Sequence, residues 1–198
     1  MSRFTDLFNL GESRSSCATT QLKELIELVN HARNVPGDIV EIGSYKCGST
    51  IILAAASEIC SPHKKVFAFD TFKGAPSISV ADSDTIGEFD DVNFSEVKNV
   101  TSMIPSIELI QGLHEETIPK FQHRPISFLF LDSDLYTSHL TALHHFWPDI
   151  SENSPIIFHD FITLNCPGVR KAVDEFFRDF LHQGIKHSFI GGMLVIQK

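Results

Sequence analysis

Long apolar runs, basic residues and paired cysteines are all scarce in this sequence of 198 residues. No apolar run approaches the roughly 18 residues of a membrane span, so we expect no transmembrane helix. The first residues combine acids with no long apolar stretch, which predicts no secretory signal. Lys and Arg number 16 against 25 acids, which gives a formal net charge of -9. A general nucleic-acid binder usually has the opposite balance, so we expect a small-molecule partner and neither nucleic acid nor a membrane.

The four cysteines form no CxxC pair; they are Cys17, Cys47, Cys60 and Cys166. In a chain of this size, such spacing predicts free buried thiols in a reducing cytoplasm and argues against a disulfide framework or a structural zinc site. Hydrophobic residues make up 42% of the chain and charged residues 21%. That composition is typical of one globular domain, so we treat residues 1–198 as a single domain.

Apolar residues alternate between helical and strand spacing along the chain. Residues 19–33 show the helical spacing of an amphipathic helix. Two apolar segments around Gly191 and Gly192 predict a closing hairpin. The alternation predicts an α/β fold with a Rossmann-like, mostly parallel sheet of seven strands, helices on both faces and a C-terminal antiparallel hairpin. The five strands before the hairpin are predicted at 38–42, 65–69, 106–111, 126–131 and 155–158.

Residues 77–96 differ in composition from the rest of the chain. They contain six acids, no Lys or Arg, and only weak periodicity. A segment of this length without its own periodicity is either a functional insert or a plain solvated loop. We predict an acidic lid and call these residues the acidic insert.

Polar residues stand at the end of each predicted parallel strand. In such a sheet, ligands bind outside the carboxyl ends of the strands. The repetition therefore predicts a binding site along this edge. The residues concerned are Glu41, Asp70, Gly112, Asp132 and the pair His159 and Asp160.

The turn after the first strand reads GSYKCGST, from Gly43 to Thr50. It lacks the second glycine of a dinucleotide fingerprint and the lysine of a P-loop. A helix opening at Gly48 suits a smaller anion, such as a carboxylate. S-adenosylmethionine offers a carboxylate, a ribose and a cationic sulfonium. Asp70 is placed to accept its ribose hydroxyls and Glu41 to hold its amino group or sulfonium side; the alternative is that both acids only cap strand ends.

Several motifs follow one another in a known order. They read PGDIVEIGSYKCGST, VFAFDTFKGAP, FSEVKN, IELIQGLHEETIP, FLFLDSDLYTSHLTAL and IIFHDFITLNCPGVRKAVDEF. From about residue 35 to residue 180, this order resembles the macrocin O-methyltransferase (TylF-like) family of small class I methyltransferases.

The resemblance implies cofactor contacts, a lid and a homodimer. The acidic insert is then expected to fold over the active site and shape the acceptor pocket. The methionine part of S-adenosylmethionine is expected near Gly43, Ser44, Tyr45 and Ser49. The adenine is expected beside Gly112, Leu113 and His114.

Asp132, Asp134, His159 and Asp160 stand at two neighbouring strand ends. Carboxylates held together repel one another unless they are protonated or bridged by a cation. In the resembling families the metal ligands come from these two strand ends, which implies Asp132 and the pair His159 and Asp160 as ligands of Mg²⁺ or Mn²⁺. Macrocin-type enzymes typically have Asp-Asp where this chain has His159-Asp160.

That departure leaves three roles open for the cluster. A histidine ligand favours manganese or iron over magnesium. Alternatively His159 is the general base, since its ordinary pKa near 6.5 suits that task. In the third reading no metal binds, Asp132 contacts the cofactor and Asp134 caps the following helix.

The sequence thus predicts an enzyme, an S-adenosylmethionine-dependent O-methyltransferase. We expect metal-assisted transfer to a hydroxyl of a small molecule, such as a sugar of a natural product or glycan, with Asp132 and His159 as catalytic residues. The alternatives are a metal-independent methyltransferase, or a hydroxylase-like or catalytically silent relative that only binds cofactor or metal.

Overall fold

The structure, a computed structural model, describes residues 2–58, 60, 63–76, 89–178 and 185–198. Two helices open the chain, α1 (Arg3–Glu12) and α2 (Thr19–His31). Helix α2 buries Leu22, Leu25 and Val29, which is the face that the apolar spacing predicts. It ends two residues before the predicted limit of 33.

Seven strands form one sheet in the order β3-β2-β1-β4-β5-β7-β6. Strands β1 to β5 pair in parallel, while β7 runs antiparallel to both β5 and β6. The predicted fold class is therefore confirmed, including the C-terminal hairpin. The strands are β1 (Asp38–Ile42), β2 (Val66–Asp70), β3 (Ile107–Gln111), β4 (Ile126–Leu131), β5 (Pro155–Phe158), β6 (His187–Ile190) and β7 (Met193–Gln197).

Helices cover both faces of this sheet. The remaining ones are α3 (Gly48–Ser57), α4 (Phe94–Thr101), α5 (His114–Thr117), α6 (Tyr136–Phe146) and α7 (Pro167–Phe176). Helices α1 and α2 pack on α3, and α6 packs on α7. Strand β4 is buried on both sides: Leu129 and Leu131 join the apolar cluster that includes α6 and α7, while Phe128 and Phe130 join the cluster that includes α2 and α3. Alternation along a strand explains this division, because successive side chains point to opposite faces.

The order in which strands are added to the sheet reverses between β1 and β4, which makes this a topological switch point. Strands β1, β2 and β3 add outward on one side, and β4 then returns to pair with the other edge of β1. Such a switch point leaves a crevice outside the carboxyl ends of the two strands. A ligand site is therefore expected where Ile42 and Leu131 end their strands.

The acidic insert is shorter than the sequence predicts. Residues 77–88 lie outside the described residues, and residues 94–96 belong to helix α4. The side chain of Asn93 caps this helix by accepting a hydrogen bond from the backbone N–H of Glu96, at 3.2 Å. The predicted loop therefore ends at residue 93, because an asparagine cap starts the helix there.

All four cysteines are buried free thiols, as predicted. No described helix combines the length and the apolarity that crossing a membrane requires.

Candidate active site

A cavity of about 750 Å³ lies at the switch point. Its size is within the range of small-molecule sites, about 300–1,000 Å³. Three of the predicted cofactor residues, Glu41, Gly112 and Leu113, are not among the described residues that line it. The predicted residues that do line it are Gly43, Ser44, Tyr45, Ser49, Asp70, His114, Asp132, His159 and Asp160.

The turn after β1 packs directly against the end of β4. Gly43 has a φ of +89°, and a Cβ there would lie 2.3 Å from the carbonyl oxygen of Asp132. The backbone just after β4 therefore requires glycine at this position even before any ligand is considered. Tyr45 and Cys47 also have positive φ, at 48° and 61°, so the turn coils tightly before helix α3 begins.

Asp70 fixes the shape of this turn. Its Oδ2 accepts hydrogen bonds from the backbone N–H groups of Ser44 and Tyr45, both at 2.8 Å. Its Oδ1 accepts one from the backbone N–H of Phe72 at 2.7 Å. The hydroxyl of Thr71 also lies 3.5 Å from Oδ1, but it donates at 2.8 Å to the carbonyl oxygen of Gly74. A carboxylate has about four acceptor positions, so Asp70 keeps capacity for a hydroxyl in the cavity.

Glu41 lies beneath the turn and does not reach the cavity. Its side chain is fully buried and accepts a hydrogen bond from the hydroxyl of Thr50, in the first turn of α3. Burial raises the pKa of Glu41 to about 7, against the opposing effect of hydrogen bonds from Ser49 and Thr50. In this position Glu41 joins β1 to the start of α3, and the predicted contact with a cofactor amino group or sulfonium has no support from its location.

Of the three residues predicted beside an adenine, only His114 lines the cavity. Its Nδ1 lies 2.9 Å from the hydroxyl of Ser138, and its Nε2 lies 3.3 Å from the carbonyl oxygen of Phe69. Burial lowers the pKa of His114, so the neutral ring is favoured. Gly112 has a φ of +148° and packs against Thr117, while Leu113 is partly exposed.

His159 lies between two carboxylates. Its Nδ1 is 2.9 Å from Oδ1 of Asp132 and 2.6 Å from Oδ2 of Asp160. Its Nε2 is 3.1 Å from Oε1 of Gln21, in helix α2. The structure thus brings together the three residues predicted as metal ligands, and adds Gln21, which no sequence motif marks.

The crowding of acids shifts the pKa of each group in this cluster. Burial raises the pKa of Asp132, and burial with the neighbouring charges of Asp132 and Asp160 raises that of Asp134 to about 8. Burial opposes protonation of His159, yet the two adjacent carboxylates outweigh it and raise its pKa above the ordinary value. A protonated imidazole cannot accept a proton, so this arrangement disfavours His159 as the general base.

Asp134 does not cap the following helix. The N-cap position of α6 is Leu135, and no side chain caps that end. Asp134 has a φ of +60° and its Oδ1 lies 3.5 Å from Sγ of Cys166. It therefore belongs to the carboxylate cluster.

Residues 14–16, between α1 and α2, form a cavity wall that the sequence did not predict. Arg14, Ser15 and Ser16 line the cavity. A Cβ on Gly48 would lie 2.3 Å from the backbone nitrogen of Ser15, so the segment lies directly on the start of α3. Arg14 donates hydrogen bonds to the carbonyl oxygen of Lys46 at 3.0 Å and to Oε1 of Glu96 at 2.7 Å. These three residues follow no periodicity and no motif, so no local signal marks them.

The described end of the acidic insert contacts the turn after β1. The hydroxyl of Tyr45 donates to Oδ1 of Asp91 at 2.6 Å, and Nζ of Lys46 lies 2.5 Å from Oδ2 of the same residue. The ring of Phe89 lies 5.1 Å from that of Tyr45 and lines the cavity. The insert is therefore joined to the site at residues 89–91, while the lid predicted for the whole of 77–96 stays a prediction.

The donor set of the cluster fits a divalent cation. Carboxylate oxygens and an imidazole nitrogen are ordinary ligands of such ions. Three half-buried carboxylates this close together also need positive charge nearby, as the raised pKa values of Asp132 and Asp134 indicate. The rest of the cavity fits a ligand with an anionic end and hydroxyl groups, since hydroxyls and Arg14 surround the start of α3 and Asp70 lies beside the turn.

Comparison with known proteins identifies the family. A sequence model of the macrocin-O-methyltransferase (TylF) family matches residues 11–189. This chain belongs to the TylF family. Similar proteins include the demethyldecarbamoylnovobiocin O-methyltransferase of Streptomyces niveus, 24% identical over 159 residues. Another is the 8-demethyl-8-(2,3-dimethoxy-alpha-L-rhamnosyl)-tetracenomycin-C 4'-O-methyltransferase of Streptomyces olivaceus, 26% identical over 159 residues.

These TylF relatives are longer than this chain. The matches cover 72% and 73% of this chain but 59% of each relative, so the chain spans about three fifths of their length. The solved structure of the O-methyltransferase NovP has a TM-score of 0.82 and 22% identity, and covers 93% of this chain and 82% of its own. That of a Bacillus cereus O-methyltransferase in complex with SAH has a TM-score of 0.60 and 16% identity, covering 98% and 90%. The fold of this TylF member is thus that of class I methyltransferases.

Proposed function

We propose that this protein is an S-adenosylmethionine-dependent O-methyltransferase acting on a hydroxyl of a small molecule, with sugars of natural products as the first class to test. The observation that carries the proposal is the cavity at the switch point. Its lining combines a carboxylate cluster with Asp70 and the hydroxyl-rich start of α3. Membership of the TylF family supports the reaction type, and the sugar methyltransferase of S. olivaceus supports the acceptor class.

The cofactor-binding residues that we propose follow the lining of the cavity. The Gly43–Ser44–Tyr45 turn and Ser49 would hold the methionine part, with Ser15, Ser16 and Arg14 beside its carboxylate. Asp70 would accept the ribose hydroxyls, and the buried, neutral His114 would contact the adenine. Glu41 would act as a positioning residue that fixes the start of α3. When bound, S-adenosylmethionine supplies an electrophilic methyl group on a cationic sulfonium.

Asp132, His159 and Asp160 are the proposed ligands of a divalent metal, either magnesium or manganese. Such an ion would lower the pKa of the acceptor hydroxyl. The chain's own part is to hold that hydroxyl in line with the methyl group, and to take its proton into the cluster formed by Asp132, Asp134 and Asp160. The acidic charge of the cluster also favours a cationic sulfonium nearby.

The mouth of the cavity suits an acceptor with an apolar part. Phe89 and Leu164 line it, and Leu164 is 94% exposed. Burying so exposed an apolar side chain against an apolar part of a ligand would contribute favourable free energy to binding. A sugar attached to an apolar natural product would place its hydroxyl in the polar interior and its apolar part on this rim.

A second candidate is metal-independent methyl transfer. The ion pairs of His159 with Asp132 and Asp160 favour it, because a protonated imidazole already supplies positive charge to the cluster. The two candidates differ in their response to a chelator.

The test combines calorimetry with a transfer assay. We expect S-adenosylmethionine to bind the full chain, and methyl transfer to sugar-bearing natural products to appear with magnesium or manganese and disappear with EDTA. Asp132→Asn should abolish transfer, whereas Asp174→Asn should leave it unchanged, because Asp174 is a half-exposed acid of α7 that pairs with Arg170 and is not among the residues that line the cavity. Absence of cofactor binding would overturn the proposal, and full activity in EDTA would select the metal-independent candidate. The homodimer and the cytoplasmic location stay predictions.

A further inference from the structure

A buried thiol adjoins the proposed metal ligands. Cys17 is 7% exposed, and its Sγ lies 3.5 Å from Oδ2 of Asp132. One sulfur, one imidazole nitrogen and one carboxylate oxygen, from Cys17, His159 and Asp132, all lie within 4.8 Å of one another. Neither the family resemblance nor the sequence motifs include Cys17 in the site.

Hydrogen bonds on both sides of Cys17 along the chain hold it beside Asp132. On one side, its backbone N–H donates to the hydroxyl of Ser15 at 3.1 Å, and Ser15 lies on the start of α3. On the other side, Oε1 of Gln21 accepts a hydrogen bond from the backbone N–H of Ala18 at 2.9 Å. The same oxygen lies 3.1 Å from Nε2 of His159, so the thiol and the imidazole are positioned by one short stretch of chain.

The contact with Gln21 also prepares His159 to bind a metal. Histidines that ligate metals usually donate their other N–H to an oxygen, which fixes the tautomer. Here Nε2–H donates to the side-chain amide oxygen, Oε1, of Gln21. This leaves Nδ1 as the ligating atom, and Nδ1 is the atom that lies beside Asp132 and Asp160.

The donor set differs from the one that magnesium prefers. Magnesium takes oxygen ligands in an octahedron, whereas thiolate with imidazole and one carboxylate suits zinc. Ligand atoms around tetrahedral zinc stand roughly 3.3–3.8 Å apart, given bonds of about 2.0–2.3 Å. The Sγ–Oδ2 distance of 3.5 Å lies in this range. The 2.9 Å contact of His159 Nδ1 is to Oδ1, the other oxygen of the same carboxylate, so Asp132 faces the thiol and the imidazole at once.

We propose that Cys17 is a metal ligand beside Asp132 and His159, and that it makes this site bind zinc more tightly than the magnesium or manganese of the proposed function. The inference rests on the metal-binding part of the proposed function. On binding, the S–H bond of Cys17 breaks, an S–Zn bond forms and the proton passes to solvent. His159 likewise releases its Nδ1 proton, so binding should weaken as the pH falls.

Cobalt titration of the full chain tests the proposal without any methyl acceptor. The protein is stripped of metal and titrated with Co²⁺, which gives a thiolate-to-cobalt charge-transfer band in the near ultraviolet only if a cysteine ligates. We expect the band to appear, zinc to abolish it and excess magnesium to leave it. Cys17→Ser should lose the band and bind zinc at least about 100-fold more weakly, which is the upper end of losses seen for outer-shell partners.

Cys166→Ser is the matched control, because Cys166 is a buried thiol beside the other acids of the cluster, 3.5 Å from Asp134. It should keep the band. X-ray absorption of the zinc-loaded wild-type chain gives a second measurement that needs no variant, and should show one sulfur at about 2.3 Å.

Cobalt bound without the band, no cobalt bound at all, or a band that survives in Cys17→Ser would each overturn the assignment. Failure of the proposed function would appear separately, as absence of S-adenosylmethionine binding or methyl transfer, and would leave the cobalt spectrum unchanged.

Discussion

Glu41 makes the stability of this protein depend on pH, by an amount that follows from its burial. Its pKa rises from an ordinary 4.5 to about 7 in the folded chain. The folded state therefore binds the proton more tightly than the unfolded state. The protonated Glu41 therefore stabilises the folded state. This stabilisation is fully present below the pKa of Glu41 in the unfolded chain, and it is lost as the pH rises through the pKa of Glu41 in the folded chain. Between about pH 5 and about pH 8, Glu41 alone should lower the free energy of unfolding by about 2.5 kcal/mol.

Glu41→Gln isolates this contribution, because glutamine has the same shape and does not titrate. Urea unfolding of both proteins across that range gives two curves of unfolding free energy against pH. All other titrating groups are shared, so the difference between the curves reports Glu41. We expect the wild type to lose about 2.5 kcal/mol relative to the variant as the pH rises. Parallel curves would show that Glu41 is ionised in the fold, and would refute the reasoning from burial.

Three further perturbations test other parts of the site. Asp70→Asn removes a charged acceptor, so calorimetry should show S-adenosylmethionine bound about 1.5–3 kcal/mol more weakly; unchanged affinity would exclude the ribose contact. Gly43→Ala puts a Cβ 2.3 Å from the carbonyl oxygen of Asp132, and thermal unfolding should show a loss of more than about 1 kcal/mol. If the Gly43→Ala variant were as stable as the wild type, the turn after β1 would have to shift away from Asp132 at little cost in free energy. Asp91→Ala removes the hydrogen bond from Tyr45, so amides of the 89–93 loop should exchange hydrogen faster, and equal exchange would argue against anchoring of the insert there.

The residues at the strand ends of the site were predictable because the helical and strand spacings of apolar residues determine where each strand ends. Mostly apolar runs of four to six residues, separated by helical segments, leave little choice other than a parallel sheet. Once the sheet is parallel, the residues after each run share one edge. Asp132, His159 and Asp160 could therefore be placed together before their contacts were known.

The contributions of Glu41 and residues 14–17 were not predictable in the same way. An acid at the end of a strand gives the same sequence pattern whether its side chain faces a cavity or is buried beneath the cavity lining. Only the packing of α3 against the end of β1 buries Glu41 beneath the lining. Residues 14–17 reach the site through the docking of α1 and α2 on α3. Such tertiary contacts leave no periodicity in the sequence. The positions of Cys17 and Gln21 beside His159 therefore could not be predicted from the sequence.

The contacts that Cys17 and Gln21 make with Asp132 and His159 also affect the order in which the parts of the molecule fold. The contact of Cys17 with Asp132 spans 115 positions, and that of Gln21 with His159 spans 138, whereas Asp70 reaches the turn after β1 across only 26. Closing longer loops costs more chain entropy, and contacts of high sequence separation form slowly. A refolding chain should therefore build its sheet and its turns first, while the cavity is still open to water on one side. In stopped-flow refolding, recovery of ligand binding should lag behind recovery of the far-ultraviolet signal.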